Sequence, residues 1–223
     1  MSAATLTGLA GWLHATLAEP EPLKRSGAQA LTRVALALEP RDLPDDVNVD
    51  AVFLHRSHHA NERWPGLGIL GAHDGFDLHL TTGPNHRLAR VLGWQDVLEV
   101  TREHRVVGVN ARPPQRTWHD LRTALQAELG GEDTSFPPTD TVVTRVALMN
   151  AMTPALIEDA RGQGVHAYLT GQLRPSAVPV AHACGMGVIA LGHRRTELWG
   201  LRTLAREMEA AFPGLATQVY GEI

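Results

Sequence analysis

The sequence predicts an α/β (α+β) protein in which helices pack on mixed sheets, and three observations carry this prediction. Short apolar runs alternate with segments in which leucines recur at helical spacing. Each apolar run ends at Gly, Pro or polar residues, which is typical of buried strands. Hydrophobic residues make up 43% and charged residues 20% of the 223 residues, so the chain can bury a core.

The first 132 residues predict a lobe that mixes helices and strands. Leucines at helical spacing predict an N-terminal helix that Pro20 and Pro22 end. Pro40 and Pro44 predict a loop over 39–49. The predicted elements are a helix over 5–18, strands over 30–38, 49–54 and 67–72, a helix over 85–92, one or two strands over 96–109, and a helix over 117–129.

The last third predicts a second lobe of alternating strands and helices. Pro137 and Pro138 mark 133–139 as the break, so we expect lobes over 1–132 and 133–223. The predicted elements are strands over 142–148, 165–169 and 187–191, helices over 154–160, 176–184 and 197–212, and a closing edge strand over 217–220.

Charge and composition exclude several classes of function. The formal net charge is −4, which disfavours nucleic acid as a partner. Cys184 is the single cysteine, so no intrachain disulfide and no cysteine-based zinc cluster can form. No stretch of about 20 apolar residues predicts a membrane span, and the N-terminus does not resemble a signal peptide. We therefore expect a soluble cytoplasmic protein.

Polar clusters follow three of the predicted strands: HRSHH over 55–59, HDGFD over 73–77 and GHRRTE over 192–197. Strand ends of α/β proteins often carry ligand-binding side chains. His193 and Glu197 are four apart and would share one helix face, which suits a divalent ion. Taken singly, each residue also fits an ordinary role, such as a structural histidine or turn chemistry at Asp77.

Longer stretches resemble a known family. The run YLTGQLRPSAVPVAHACGMGVIALGHRRTELWGLRTLAREM over 168–208 is similar to the C-terminal signature of the NIF-three-like family, also called GTP cyclohydrolase type-2 homologues or dinuclear metal-centre hexameric proteins. VDAVFLH over 49–55 resembles its strand that ends in a pair of histidines. The segment over 70–94 resembles its H-x-x-x-D segment, Gly-Asn turn and helix.

The resemblance implies a NIF-three-like fold with two similar lobes and a metal site between them. It implies His55, Asp77, His193 and Glu197 as ligands, with Glu197 bridging two divalent ions of Zn, Mn or Fe. It also implies a homohexamer. Two ions per chain are favoured and one is the alternative.

Departures from the family pattern leave the number of ions open. Arg56 stands where the family has its second histidine, and arginine cannot bind a metal. Either His58 or His59 supplies the missing ligand, or one ion is lost and Arg56 pairs with Asp77 in its place. Gln172 and Ser176 also replace a family glutamate and histidine.

Two functions follow from this pattern. The first is a metal-dependent hydrolase that acts on a nucleotide or phosphoester, and its small-molecule substrate is unknown. The alternative is a non-catalytic metal-binding or scaffold protein whose site has drifted, since Gln172 and Ser176 weaken the match to the family's full set of polar residues.

Overall fold

The computed structural model describes residues 4–60 and 62–222, which form two compact units. The first unit comprises Met1–Asp77 and Glu197–Ile223, and the second comprises Leu78–Thr196. The lobes predicted from the sequence divide the chain at one point, whereas the first of these units is discontinuous in sequence. The last helix carries the chain from the second unit back into the first.

Helices and strands alternate along most of the chain. The helices are α1 (Leu6–Leu17), α2 (Asp74–Leu80), α3 (His86–Val91), α4 (Trp118–Leu129), α5 (Pro154–Gly162), α6 (Val178–Ala183) and α7 (His193–Ala211), with a short 3-10 helix at Pro40–Asp42. The strands are β1 (Leu23–Arg25), β2 (Arg33–Ala37), β3 (Ala51–Leu54), β4 (Gly68–Gly71), β5 (Gln95–Arg102), β6 (Arg105–Arg112), β7 (Thr134–Phe136), β8 (Val146–Met149), β9 (Ala167–Thr170), β10 (Gly187–Ala190) and β11 (Ala216–Val219).

The sheet of the first unit has the strand order β1-β4-β3-β2-β11. Its strands β4, β3, β2 and β11 are parallel, and β1 pairs antiparallel with β4. The register places Ala37 beside Leu54 and Leu54 beside Gly71. The carboxyl ends of β2, β3 and β4 therefore meet at one edge of the sheet, and β3 is buried along its whole length.

The sheet of the second unit has the strand order β5-β6-β8-β9-β10-β7. Its centre, β8, β9 and β10, is parallel, while β6 and β7 run antiparallel to their neighbours. The hairpin β5–β6 extends it at one side. The central strands are buried throughout, as continuous apolar runs predict.

Local sequence explains where the helices begin. Thr5, Thr117 and Thr153 cap α1, α4 and α5, and each hydroxyl accepts a hydrogen bond from a backbone N–H in the first turn. The leucines of α1 that recur at helical spacing are buried, which confirms that helix: Leu6, Leu9, Leu13 and Leu17.

Three parts of the chain differ from the sequence prediction. Asp77 was expected to lie in a turn-like segment after Gly75, yet Asp74 begins α2, in which Gly75 lets the backbone pass close to Leu17. A β-carbon on Gly75 would lie 2.1 Å from the Leu17 carbonyl oxygen, so only glycine fits there. Helix α7 begins at His193, one turn before 197. The expected break over 133–139 contains strand β7.

Within residues 4–60 and 62–222, no helix is long and apolar enough to cross a bilayer.

Candidate metal centre

Three adjacent parallel strands of the first unit deliver charged or metal-binding side chains to one sheet edge. Glu39 lies two residues beyond β2, His55 directly follows β3, and His73 lies two residues beyond β4. The His55 N–H donates to the Ala37 carbonyl, so strand pairing continues up to the site and fixes the position of the imidazole. Asp77 comes from α2 and Glu197 from α7.

His55 is the centre of this cluster. It is only 1% exposed, and its Nδ1 lies 3.2 Å from the Ala72 carbonyl oxygen. A carbonyl oxygen can only accept, so Nδ1 carries the proton and Nε2 keeps its lone pair in the neutral ring. Nε2 lies 3.3 Å from Asp77 Oδ1 and 3.3 Å from Glu197 Oε1.

His73 adds a second imidazole to the same side of the site. Its ring stacks on that of His55, with centroids 4.9 Å apart, and its Nδ1 lies 2.8 Å from Asp74 Oδ1. Its Nε2 lies 3.9 Å from Asp77 Oδ2. Both histidines are therefore held through Nδ1 and direct Nε2 toward the carboxylate of Asp77.

The surroundings of His55 favour a positive charge at or beside its Nε2 atom. Burial alone would lower its pKa, but the close carboxylates of Asp77 and Glu197 outweigh burial and raise the pKa to about 9. A lone pair facing two carboxylate oxygens is repulsive unless a cation lies between them. A proton on Nε2 can supply that charge, and so can a metal ion.

The spacing of the donor atoms fits a divalent metal ion. Two donors bound to one tetrahedral ion at about 2.0–2.1 Å lie roughly 3.4 Å apart, close to the 3.3 Å between His55 Nε2 and each neighbouring carboxylate oxygen. His55, His73 and Asp77 present donor atoms that all lie within 4.8 Å of one another. His55 Nε2 is buried and has no hydrogen bond of good geometry. Since buried polar atoms rarely lack a partner, this atom is suited to bind a cation.

Arg56 contacts the same carboxylate oxygen of Glu197 that lies near His55. Its Nη2 makes a short hydrogen-bonded ion pair with Glu197 Oε1, and its Nη1 lies 3.4 Å from Glu39 Oε1. Burial alone would lower the pKa of Arg56, but Glu197 raises it, so the guanidinium stays charged. The sequence predicted a pair of Arg56 with Asp77, whereas the guanidinium contacts Glu197 and Glu39, and the charge of Asp77 also raises the pKa of Arg56.

The structure brings together three of the four predicted ligands, His55, Asp77 and Glu197, in the first unit. His193 is the first residue of α7 and belongs to the second unit, so its part in the site stays a prediction. His58 and His59 line the cavity beside Arg56.

His73 was missed as a candidate ligand from the sequence. Its signal was its spacing of four residues from Asp77, which places both on one helix face, but Gly75 made a turn the more natural prediction. Among the residues that the structure describes, His55, His73 and Asp77 are the one group of three whose donor atoms lie close enough together to hold a metal ion. Neither His58 nor His59 belongs to this group.

Fold and site together define an α/β protein with a candidate divalent-metal centre at a sheet edge. The chain belongs to the Duf34/NIF3 (NGG1p interacting factor 3) family, whose model matches residues 65–221. This confirms the family that the sequence motifs indicated.

Two curated relatives of this chain have the same name. A protein named GTP cyclohydrolase 1 type 2 homolog from Chlamydia trachomatis is 28% identical over 163 residues, covering 69% of this chain and 61% of that protein. A protein of the same name from Pseudomonas aeruginosa is 32% identical over 146 residues, covering 62% of this chain and 55% of that one. The matched part of the chain thus spans little more than half of these relatives.

Solved structures share the fold over nearly the full chain. The protein ybgI, whose structure is described as of unknown function, has a TM-score of 0.75 at 22% identity, with 96% of this chain and 97% of that one covered. TTHA1606 from Thermus thermophilus has a TM-score of 0.73 at 20% identity, with 98% of each chain covered. Reduced HcgD from Methanocaldococcus jannaschii has a TM-score of 0.71 at 13% identity, with 98% of each covered. At these identities the likeness concerns the fold alone.

Proposed function

We propose that this protein binds a divalent metal ion through His55, His73 and Asp77. The observation that carries the proposal is the buried Nε2 of His55, which faces carboxylate oxygens at the spacing of donors to one ion. Two imidazoles and a carboxylate suit Zn, Fe or Mn and leave coordination positions open. His193, which begins the helix that carries Glu197, remains a further candidate ligand.

We infer one ion per chain, and not the two that the family resemblance favoured. Oε1 of Glu197 faces His55 and also pairs with Arg56, so a guanidinium already lies beside the carboxylate that would have to bridge to a second cation. Glu39 holds the same guanidinium from its other side. Arg56 thus supplies a fixed positive charge beside Glu197, where a second ion would otherwise supply it.

The favoured activity is metal-dependent hydrolysis of a nucleotide or phosphoester. A bound divalent ion lowers the pKa of water toward neutrality and polarises a phosphoryl oxygen. In this chain, the Ala72 carbonyl and Asp74 orient His55 and His73 toward the ion. Arg56 adds a positive charge near the site. A guanidinium group can stabilise the negative charge that develops on phosphoryl oxygens during transfer.

Metal titration and a hydrolysis assay test this proposal in sequence. Calorimetry on chelator-treated protein with Zn²⁺ or Mn²⁺ should give saturable binding that is lost in His55→Ala and kept in His58→Ala. With the metal present, the wild type should hydrolyse bis(p-nitrophenyl) phosphate, a generic phosphodiester. Absence of saturable binding would contradict the metal site itself.

One observation favours the non-catalytic alternative. Arg56 engages both Glu197 and Glu39, two carboxylates that would otherwise be available to bind cations or activate water. A protein that binds metal, gains thermal stability from it and hydrolyses no phosphoester in the assay above would act as a metal-binding or scaffold protein instead.

A homohexamer is also proposed from the family resemblance. Three large hydrophobic side chains of the second unit, Val91, Leu98 and Val142, are exposed and would suit a subunit interface. Light scattering of the purified protein tests the assembly, and a monomer at micromolar concentration would contradict it.

A further inference from the structure

We propose that the second unit contains a binding site for the phosphate group of a small phosphorylated molecule. The site is a cavity at the carboxyl edge of the sheet of that unit. It takes polar residues from the ends of all three central parallel strands, namely Asn150 after β8, Thr170 and Gln172 at the end of β9, and His193 after β10. Ligands of open α/β sheets commonly bind at this edge.

Two mostly buried threonines line this cavity. Thr82 is 5% exposed and Thr170 is 2% exposed, and neither side chain makes a hydrogen bond to any residue in the described part of the chain. Neither hydroxyl oxygen is among the buried polar atoms that lack a partner, so both are accessible from the cavity. The two hydroxyls are therefore available to donate to a ligand that brings acceptor oxygens into the cavity.

The charge of the lining favours an anion. Arg174 lines the cavity, is exposed, and forms no ion pair with any described residue. Neither Asp nor Glu is among the lining residues that the structure describes. Helix α7, which is 19 residues long, begins at His193 on the cavity wall, so the positive end of its dipole adds to the potential there.

The number of donors favours phosphate over carboxylate. The hydroxyls of Thr82 and Thr170, the amide of Gln172 and the guanidinium of Arg174 supply donors from four side chains. A terminal phosphate offers three acceptor oxygens and up to two negative charges to such a set. Gly171 keeps the space clear, because a β-carbon there would lie 3.3 Å from Thr82 Oγ1.

The size of the cavity favours a phosphate ester over free phosphate. Its volume is about 340 Å³, within the roughly 300–1,000 Å³ of small-molecule sites. That volume leaves room for a sugar-sized group attached to the phosphate. The proposal does not rest on a bound metal, although a phosphoester is the substrate class proposed above for the metal site.

Calorimetric titration of full-length protein in excess chelator tests the site separately from metal binding. The probes are inorganic phosphate and ribose 5-phosphate at constant ionic strength. We expect one-site binding of both probes, with ribose 5-phosphate the tighter. Arg174→Ala should weaken binding about ten-fold or more, because a charge-assisted hydrogen bond is lost. Thr170→Val, which keeps the side-chain shape, should weaken it several-fold.

Arg161→Ala is the matched control. Arg161 is an exposed arginine of α5 in the same unit, outside the lining of the cavity, so its loss changes the net charge equally. Binding unchanged in Arg161→Ala and weakened in Arg174→Ala supports the site. Absence of saturable binding, or equal losses in the two variants, would overturn it. Equal affinity for the two probes would overturn the assignment to an ester.

Discussion

The two sheets of this protein place opposite chemistry at equivalent edges. Each sheet has three adjacent parallel strands whose carboxyl ends meet, β2, β3 and β4 in the first unit and β8, β9 and β10 in the second. The first edge carries imidazoles and carboxylates and is suited to a cation. The second edge carries hydroxyls, an amide and an arginine that forms no ion pair with a described residue, and we propose that it binds an anion.

This difference shows that the strand framework sets where a site forms, while the residues beyond the strand ends set what it binds. The central parallel strands of both sheets, such as β3 and β8, are short, apolar and buried. The side chains of the first edge are fixed by neighbouring groups, as His55 is by the Ala72 carbonyl. Thr82 and Thr170 of the second edge have no such partner among the described residues.

The largest effect on the first edge should come from Arg56→Gln. Glu197 is 1% exposed, and the substitution removes the guanidinium that pairs with it. Breaking a buried ion pair should cost roughly 4 kcal/mol of the free energy of unfolding. Urea unfolding of the chelator-treated protein measures this cost.

Arg41→Gln is the control for this substitution. Arg41 pairs with Glu39 but its side chain is 76% exposed, so the loss should stay within about 0.5 kcal/mol. Equal costs for the two variants would mean that the pair of Arg56 and Glu197 is no stronger than a surface contact.

Metal-free protein should lose stability as the pH rises. The pKa of His55 is about 9 in the folded chain, and its ordinary value, expected in the unfolded chain, is 6.5. Its contribution is therefore complete below about pH 6.5 and disappears as the pH passes through about 9, a change of roughly 3 kcal/mol. Unfolding at about pH 6 and about pH 9.5 tests this, with His55→Gln as the comparison. A variant with the same pH dependence as the wild type would exclude His55 as the cause.

His55→Ala should separate the two edges. It should lower metal affinity roughly a hundred-fold or more, since losing a metal ligand exceeds the usual cost of losing an outer-shell partner. The affinity of the second unit for ribose 5-phosphate in chelator should not change. Calorimetry with Zn²⁺ and with ribose 5-phosphate measures both, and a parallel loss of both affinities would mean that the substitution damages the whole fold.

The smallest expected effect concerns how α2 reaches the first edge. Gly75→Ala should destabilise the protein by about 2 kcal/mol, because the new methyl group would meet the Leu17 carbonyl oxygen. Gly162→Ala is the control, since nothing lies within 4 Å of a β-carbon there, and it should be neutral or stabilise by up to about 1 kcal/mol. Thermal unfolding compares them, and equal shifts would contradict the close packing of α2.

Much of the fold could be predicted from the sequence, because apolar runs and helical spacing report burial directly. His55 was found because it ends such a run, and Glu197 because it lies four residues from His193 in a recognisable motif. His73 was obscured by Gly75, whose need for close backbone approach cannot be seen in a sequence. Glu39 lies in a proline-rich loop, and its contact with Arg56 depends on the pairing of β2 with β3.

Counting metal ions per chain tests the central claim most directly. Wild-type protein and Arg56→His, dialysed against Zn²⁺ and then against buffer, would be compared by elemental analysis. The account predicts one ion per wild-type chain and a second ion in Arg56→His, where an imidazole replaces the guanidinium beside Glu197. Two ions in the wild type, or none, would contradict it.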